Sequence, residues 1–195
     1  MRSLLLFSGG IDSTALLYWK KPEIALLVNY GQVTFEAEHK AAFEIAKSTN
    51  IPLITHSLKL DLDGSGTLAG EQFAHYNRYS EFWPFRNQLL LTIALIFAVK
   101  NDLGHVMLGL TKSDDLFKDN SDLFIRKMDD LSRFQEYNVK ISAPAIGLSV
   151  QELVQISKVP INLLAWAHSC NTSNLPCGKC PSCQKYINVF STLQD

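Results

Sequence analysis

A short turn between an apolar segment and a helical pattern, Ser8-Gly9-Gly10-Ile11-Asp12-Ser13, constrains the fold of this chain more than any other feature. Residues 4–7 have strand propensity, and residues 14–19 show the periodicity of a helix. Glycine has no Cβ to obstruct a ligand, and the free N–H groups at a helix N-terminus favour bound phosphate. This glycine turn (residues 8–13) therefore predicts a nucleotide site, with hydroxyl donors in Ser8 and Ser13 and a magnesium ligand in Asp12. An ordinary strand-to-helix turn without a ligand is the alternative.

The rest of the chain repeats this unit of strand and helix. Apolar runs bounded by turn residues predict further strands at residues 23–30, 51–56, 105–109 and 139–144. Helical patterns occupy residues 35–49, 88–100 and 124–137, and Ser149 with Glu152 forms a capping-box pattern that begins another helix. Strands that alternate with helices predict an α/β fold with a parallel, doubly wound, Rossmann-like sheet. The length allows one nucleotide-binding domain over residues 1–164 and a small segment packed on it over residues 165–195.

Polar side chains follow several of these strands and begin the most apolar helix. Because the carboxyl ends of parallel strands meet at one sheet edge, where open α/β sheets bind ligands, these side chains are candidates for a common cleft. They are Tyr30, Gln32, Arg86, Asn87, Asp114 and Asp119, and the fourth predicted strand ends in Gly109 at the same sheet edge. The guanidinium of Arg86 suits bidentate anion binding, although an internal salt bridge would also satisfy it. Carboxylates of the acidic loop around residue 114 could bind a metal or a purine edge, but a solvated loop is the commoner explanation.

Residues 58–82 interrupt the periodicity and contain several glycines. Such a segment predicts a loop or a flexible lid, which would exclude water from a reactive intermediate when closed. A disordered surface insertion explains the same composition equally well.

The overall charge and the longest apolar run exclude several classes of partner. The formal net charge is −1, so no strong field would attract nucleic acid or an anionic membrane. The longest apolar run, residues 89–99, is much shorter than the roughly 20 residues needed to span a bilayer. The polar residues of the glycine turn interrupt the only apolar segment that could begin a secretory signal. We therefore expect a soluble, cytoplasmic protein that binds neither membranes nor nucleic acid directly.

All four cysteines, Cys170, Cys177, Cys180 and Cys183, lie near the C-terminal end. Their order, C-x6-C-x2-C-x2-C with Gly178 and Pro181 at tight turns, predicts four thiolate ligands of a tetrahedral zinc ion. An iron–sulfur cluster is the serious alternative, because ferredoxin-type runs share the C-x2-C-x2-C spacing. Disulfides are not expected, since the cytosol keeps thiols reduced. A closed set of four ligands indicates a structural metal that clamps the C-terminal segment.

The glycine turn resembles the PP-loop of the ATP pyrophosphatases, which cleave ATP between the α and β phosphates. Joined to the terminal cysteine pattern, it makes nearly the whole chain similar to one family, the 7-cyano-7-deazaguanine synthases (QueC). The matching positions are residues 8–13, Tyr30-Gly31-Gln32, Pro84, Arg86-Asn87, Gly109, Asp114, Phe117, Asp119, Pro144, Ser169-Cys170, Cys177-Gly178-Lys179-Cys180 and Cys183. The resemblance implies the adenine nucleotide alpha hydrolase type of Rossmann-like fold.

The family uses ATP to activate the carboxylate of 7-carboxy-7-deazaguanine as an acyl-adenylate, which ammonia converts to an amide. A second ATP-dependent step dehydrates the amide to the nitrile. For this chain the resemblance implies ATP, Mg²⁺ and Zn²⁺ as cofactors and a homodimer. It implies nucleotide contacts at Ser8, Gly9, Gly10, Ile11, Asp12, Ser13, Tyr30 and Gly109. It also implies catalytic roles for Asp12, Ser13 and Arg86, and substrate contacts at Gln32, Arg86, Asn87, Asp114 and Asp119.

The chain also departs from the family pattern. The loop that commonly reads Tyr-Pro-Asp-Cys-Arg-Pro-Glu is Phe117-Lys118-Asp119-Asn120-Ser121-Asp122-Leu123 here. A lysine expected after the fifth strand is Val150, and an arginine expected after the last cysteine is Tyr186. Losing cations near a triphosphate weakens the electrostatic case for the two-step reaction, although Lys112, Lys158 or Lys179 could compensate.

Two alternative functions therefore remain open. One is a QueC-like enzyme of an antiphage operon such as CBASS, which would join the activated deazaguanine to a protein amine. The other is a catalytically degenerate subunit that binds a nucleotide without chemistry. The intact acidic residue of the glycine turn favours an enzyme over the degenerate subunit.

Overall fold

Five parallel strands form one sheet in the order β3-β2-β1-β4-β5, within the described residues 2–58, 66–70, 83–114 and 117–193 of the computed structural model. The strands are β1 Ser3–Leu6, β2 Ile24–Asn29, β3 Leu53–Ser57, β4 His105–Leu108 and β5 Lys140–Ser142. The first strand lies at the centre, where Leu4 is in register with Ile24 on one side and with Val106 on the other. The prediction of a parallel α/β sheet is confirmed.

The described part of the chain has seven α-helices, of which the first four connect strands and the last three follow β5. They are α1 Ile11–Lys20, α2 Phe35–Thr49, α3 Arg86–Lys100, α4 Asp122–Arg133, α5 Val150–Ser157, α6 Ile161–Leu164 and α7 Pro181–Thr192. The capping box predicted from Ser149 and Glu152 is present at the start of α5. There the Glu152 N–H donates to the Ser149 hydroxyl and the Ser149 N–H donates to the Glu152 carboxylate, so two free helix donors are satisfied.

Helices cover both faces of the sheet. Leu5 and Met107 point to one face, where they pack with residues of α1, α2, α5 and α6. Leu4 and Val106 point to the opposite face and pack with residues of α3 and α4. Because side chains alternate between the faces of a strand, a sheet buried on both sides needs strands that are apolar throughout. This doubly wound arrangement leaves the carboxyl ends of the strands open for a site.

One predicted helix is shorter than its sequence pattern. The apolar periodicity predicted a helix over residues 124–137, but α4 ends at Arg133. Ile125 is buried on the expected face, whereas 54% of Leu131 and 87% of Phe134 are exposed. The chain leaves the helix because it must turn into β5, and Asn138 adopts the left-handed conformation in that turn, with φ of 48°.

The lid predicted for residues 58–82 lies mostly outside the described residues. In its described part, Leu68 is buried and its carbonyl accepts a hydrogen bond from the Val33 N–H at 2.9 Å. Among the described residues, none of the helices combines the length and the apolar character that a membrane crossing requires.

Candidate functional site

A cleft of about 830 Å³ lies at the carboxyl ends of β1, β2 and β4. Its walls come from the glycine turn, the first residues of α3, the loop after β4 and the segment that leads into α7. Most candidate residues line it: Ser8, Gly10, Ile11, Asp12, Ser13, Tyr30, Gln32, Arg86, Asn87, Gly109 and Asp114. Of the candidates for nucleotide or substrate contacts, Gly9 and Asp119 lie outside these walls. The structure therefore brings residues from both ends of the chain to one sheet edge.

Gly9 allows the glycine turn to pack closely on α2. Its φ is +75°, in the left-handed region that favours glycine. A Cβ at this position would lie 2.9 Å from the Ala42 nitrogen and 3.0 Å from the Glu38 carbonyl oxygen. Gly109 has a similar role on the other side, because a Cβ there would lie 3.0 Å from the Ser13 Cα. Both glycines therefore permit close approaches of backbone to helix, and a nucleotide contact of Gly9 would come from its backbone.

Two hydroxyl groups face each other at the N-terminus of α1. The Ser13 hydroxyl donates to the Gly10 carbonyl at 3.0 Å, and the Gly10 N–H donates to the Ser8 hydroxyl at 3.3 Å. The two hydroxyl oxygens are 3.3 Å apart. Ser8 and Ser13 are thus held beside the N–H groups of the first helical turn, an arrangement that favours an anion.

The segment before the first cysteine closes on the glycine turn. Gly10 is the N-cap of α1 and provides no side-chain hydrogen bond, but the Ile11 N–H donates to the Ser169 hydroxyl at 3.2 Å. The His168 N–H donates to the Gly9 carbonyl at 3.0 Å. Ser169 therefore supplies the side-chain cap that this helix lacks locally. These capping contacts were missed from the sequence, because Ser169 and Ile11 are 158 positions apart.

Lys185 of α7 bridges two carboxylates of the cleft. Its Nζ lies 2.9 Å from Asp12 Oδ2 and 3.1 Å from Asp114 Oδ1. Between 18% and 23% of each of these three side chains is exposed. Asp114 is itself fixed, because its Oδ2 accepts a hydrogen bond from the Thr111 N–H at 2.8 Å. The cluster of Asp12, Lys185 and Asp114 therefore links α1, the loop after β4 and α7 at one point.

The environment moves the pKa values of two members of this cluster. Burial raises the pKa of Asp12 to about 6, while Lys185 opposes the rise and Asp114 adds to it. Burial also works against the charge of Lys185, but the two carboxylates outweigh it and raise the pKa of the ammonium. The two directions are compatible, since Lys185 has two carboxylate partners whereas Asp12 has one cation and a second carboxylate nearby. Lys185 is therefore charged at neutral pH, and Asp12 titrates close to neutrality.

One oxygen of Asp12 is available for a ligand. Oδ1 is buried and has no hydrogen-bond partner among the described residues. A buried carboxylate oxygen without a partner is unfavourable, and hard oxygen ligands suit Mg²⁺. Asp12 could therefore hold the predicted magnesium ion through Oδ1 while Oδ2 contacts Lys185.

A second polar group in the cleft centres on Tyr30 and Arg86. Burial raises the pKa of Tyr30 to about 12, although Arg86 opposes this through its charge and a hydrogen bond. The Tyr30 ring packs edge-on against Trp83, with ring centroids 5.0 Å apart. Tyr30 is therefore a neutral hydrogen-bonding group that orients Arg86, and the remaining guanidinium donors are suited to an anion.

The amides of Gln32 and Asn87 line the cleft but also bind within the protein. Gln32 Nε2 donates to the Glu38 carboxylate at 3.0 Å. Asn87 Nδ2 donates to Asn120 Oδ1 at 2.6 Å and to the Asp119 carbonyl at 3.3 Å. These hydrogen bonds hold the loop after β2 and the loop after β4 in place. Asp119 takes part through its backbone, and its carboxylate lies outside the cleft walls.

Three Arg or Lys side chains line the cleft in the part of the chain that the structure describes: Arg86, Lys112 and Lys185. Of the lysines suggested to compensate for missing family cations, Lys112 is in this set, whereas Lys158 and Lys179 are exposed elsewhere. Lys185 was not predicted from the sequence, although it directly precedes Tyr186, the position where the family pattern has an arginine. Successive helical residues point about 100° apart, so Tyr186 packs against the core while Lys185 reaches the carboxylates.

The four cysteines converge beside the cleft, and their Sγ atoms all lie within 4.8 Å of one another. Four thiolates about 2.3 Å from one tetrahedral ion would have sulfurs about 3.8 Å apart. The Cys177 and Cys183 sulfurs are 3.9 Å apart. Hydrogen bonds from the Thr172 side chain and from backbone N–H groups, including that of Cys180, lower the pKa of Cys177 to about 5. The cluster therefore could hold a metal.

Known proteins match nearly the whole chain. Residues 2–194 match the family model of the queuosine biosynthesis protein QueC. The 7-cyano-7-deazaguanine synthase 1 of Desulfitobacterium hafniense is 34% identical over 196 residues, which cover 92% of this chain and 87% of the relative. The 7-cyano-7-deazaguanine synthase of Pyrococcus furiosus is 29% identical over 215 residues, which cover 93% of this chain and 89% of the relative.

A solved structure has the same fold. The U34-tRNA thiolase NcsA of Methanococcus maripaludis, with its [4Fe-4S] cluster, aligns with 100% of this chain at a TM-score of 0.52. The two sequences are 15% identical, and this chain spans 65% of that protein's chain. At this identity the likeness concerns the fold alone.

Proposed function

This chain belongs to the QueC family of queuosine biosynthesis proteins, and we propose that it is an ATP-dependent 7-cyano-7-deazaguanine synthase. One observation carries the proposal: the family match over residues 2–194 includes an intact glycine turn that lines the 830 Å³ cleft. Relatives named as this synthase match over a similar length. The substrate would be 7-carboxy-7-deazaguanine and the nitrogen donor ammonia, as the family resemblance implies.

The first half of the reaction makes an amide. A carboxylate oxygen of the substrate attacks the α-phosphorus of ATP, the bond to the β-phosphate oxygen breaks, and pyrophosphate leaves. A carboxylate is a poor electrophile, but the acyl-adenylate carries AMP as a good leaving group. The lone pair of ammonia then attacks the acyl carbon, AMP leaves with the bonding electrons, and loss of a proton gives the amide.

The second half converts the amide to the nitrile in the same cleft. The amide oxygen attacks the α-phosphorus of a second ATP, and pyrophosphate again leaves. The nitrogen gives up its two protons, and AMP departs with the electrons of the carbon–oxygen bond. One set of phosphate-binding groups therefore serves both steps, which fits a single cleft.

The roles of the chain's own groups follow from their chemistry. The N–H groups of the glycine turn, with the hydroxyls of Ser8 and Ser13, would bind the phosphates. Asp12 would hold Mg²⁺ through Oδ1, and the bound ion would stabilise charge on the departing pyrophosphate. Arg86, oriented by Tyr30, would bind the substrate carboxylate or a phosphate as a bidentate donor.

The remaining candidates would shape the substrate end of the cleft. Gln32 and Asn87 would act mainly by holding the two loops that carry Tyr30 and Asp114. The Asp119 backbone belongs to the same hydrogen-bonded network as Asn87. Ligand specificity would then depend on loop position as much as on direct contacts.

We also propose that the cysteine cluster holds one Zn²⁺ ion. A cubane cluster places four irons between the thiolates and needs them farther apart than a single ion does. Sulfurs within 4.8 Å of one another favour the single ion. Elemental analysis of protein purified without added metal tests this, and about one iron–sulfur cluster per chain in place of zinc would contradict it.

Incubation of the metal-loaded protein with ATP, Mg²⁺ and 7-carboxy-7-deazaguanine, with and without ammonia, tests the proposed reaction. We expect pyrophosphate in both samples but free AMP and the nitrile only with ammonia, because AMP leaves the acyl-adenylate when ammonia attacks it. Mass spectrometry measures these products. AMP without nitrile, together with a mass increase on an added protein, would favour the protein-amine acceptor. Absence of AMP in both samples would contradict the synthase and leave a binding subunit. Sedimentation of the same sample measures whether the chain is the homodimer that the resemblance implies.

A further inference from the structure

Lys185 retains hydrogen-bonding capacity that the described residues do not use. An ammonium group has three N–H donors. Two acceptors lie within reach of Nζ, Asp12 Oδ2 at 2.9 Å and Asp114 Oδ1 at 3.1 Å, with no further acceptor among the described residues. The side chain lines the cleft and is about one-fifth exposed. One donor of Lys185 therefore remains for a ligand in the cleft.

Two carboxylates beside the glycine turn would oppose binding of a polyphosphate. Asp12 lies on the first turn of α1, and Asp114 lies across the cleft within hydrogen-bond distance of the same ammonium. Within the described part of the chain, Lys185 carries the one positive charge that contacts both carboxylates. Without it, the helix N-terminus that favours anions would have two uncompensated negative charges next to it.

We propose that Lys185 binds a phosphate oxygen of ATP through its third N–H donor and so makes the carboxylate-rich glycine turn able to accept a triphosphate. The inference rests on the proposed function for the identity of the nucleotide. It makes α7, which begins in the cysteine cluster, a part of the nucleotide site.

The fold holds Lys185 in place before any ligand arrives. Val189, one turn further along α7, is 1% exposed in the core beneath α1 and α5. At the other end of the helix, the Cys180 sulfur accepts the Cys183 N–H and caps α7. A lysine that is already ordered loses little conformational entropy on binding, so its interaction with phosphate is retained as affinity.

Two other roles for Lys185 predict different results. As a simple tether, it would fasten α7 to α1 and affect stability but not phosphate recognition. As an occupant of a cation site between Asp12 and Asp114, it would compete with Mg²⁺, and its removal would tighten metal binding. Binding measurements without turnover separate all three roles.

The test compares Lys185→Met, which removes the charge at similar size, with Lys185→Arg, which keeps it. Lys127→Met, on the exposed surface of α4, is the matched control for loss of a lysine. Calorimetry measures the affinity of each protein for ATP with Mg²⁺, for adenosine and for Mg²⁺ alone. Metal content and melting temperature check the fold, and Lys185→Gln replaces the Met variant if that one does not fold.

We expect Lys185→Met to bind ATP about 10- to 100-fold more weakly, the scale of one hydrogen bond to a charged group. Adenosine should bind all variants equally, because it has no phosphate, and Lys185→Arg should recover most of the ATP affinity. Lys127→Met should match the wild type. A merely structural role would weaken ATP and adenosine together.

Equal ATP affinity of wild type and Lys185→Met would overturn the inference and leave the proposed synthase intact. Tighter Mg²⁺ binding by Lys185→Met with unchanged ATP affinity would overturn it in favour of the cation-site role. If the wild type binds ATP in a Lys185-dependent manner but forms no AMP, the inference stands and the proposed reaction fails. No affinity of the wild type for ATP would overturn both.

Discussion

Replacing Asp12 by Asn should make the protein more stable at neutral pH while it abolishes AMP formation. Burial raises the pKa of Asp12 from the ordinary 3.8 to about 6. At about 1.4 kcal/mol per pH unit, the ionised carboxylate lowers the free energy of unfolding by about 3 kcal/mol at pH 8. Asparagine has nearly the same shape and no charge, so it should relieve most of this penalty. The wild type keeps this unfavourable carboxylate because, in the proposed function, Oδ1 of Asp12 binds Mg²⁺.

The pKa shift of Asp12 also determines how the stability difference changes with pH. Because the pKa is raised in the folded state, the folded protein holds this proton more tightly than the unfolded chain does. The resulting stabilisation is complete below about pH 4 and is lost as the pH rises through about 6. The advantage of the Asn variant should therefore be small below pH 4, about half its full value at pH 5 and about 3 kcal/mol at pH 8.

Urea unfolding of the metal-loaded wild type and Asp12→Asn at several pH values measures this difference, because the slope with denaturant should be the same for both. The cysteine cluster is common to both proteins, so its own pH dependence cancels. Asp130→Asn, at an exposed position of α4, is the matched control and should change stability by less than about 0.5 kcal/mol. An Asp12→Asn variant that is less stable than the wild type at pH 8, or whose advantage does not change with pH, would refute the reasoning.

Three other substitutions test the glycine turn, the metal cluster and the charge cluster. Gly9→Ala should lower the free energy of unfolding by about 2–4 kcal/mol, measured in urea, because its Cβ would meet the α2 backbone and φ is left-handed; wild-type stability would contradict this contact. Cys180→Ser should weaken metal binding by more than the about 10- to 100-fold typical of losing an outer-shell partner, and should lower the melting temperature; a variant with wild-type metal content would exclude Cys180 as a ligand. In the wild type, the rate of AMP formation should fall as the pH drops through about 6, because Asp12 becomes protonated. In Lys185→Met this fall should occur at higher pH, since Lys185 lowers the pKa of Asp12. An unchanged pH dependence would show that Asp12 is not the group that titrates.

The repeated strand-and-helix pattern was enough to predict the fold. β2 and β4 were recognisable as short apolar runs, because strands buried on both faces are apolar. The edge strands β3 and β5 are only partly buried and include polar residues, so the turn residues that bound them were the stronger signal. The end of α4 was less predictable, since the apolar period continued through Leu131 and Phe134, which the structure leaves exposed. Periodicity reports which residues could share a face, whereas the need to enter β5 decides where the helix stops.

The candidate site was predictable where its residues are local in sequence. The glycine turn and the cysteines carry their chemistry in short motifs, and the structure gathers them as spacing suggested. Ser169 and Lys185 were missed as contacts of the turn, because no local pattern joins them to residues 9–12. The available signal for Lys185 was weak: with Pro181 as the first residue of a helix, the next basic side chain along it is Lys185.

The capping of α1 by Ser169 has a consequence for biosynthesis of the protein. A ribosome adds about 5–20 residues per second, so the 158 positions between Ile11 and Ser169 correspond to roughly 8–30 seconds of translation. During that interval the nascent chain can pair β1 with β2 but lacks the hydroxyl that finishes its first helix. The cleft should therefore bind nucleotide only after the segment with the cysteines has left the ribosome and folded onto α1. Translation products that end before Ser169 should be inactive for this reason.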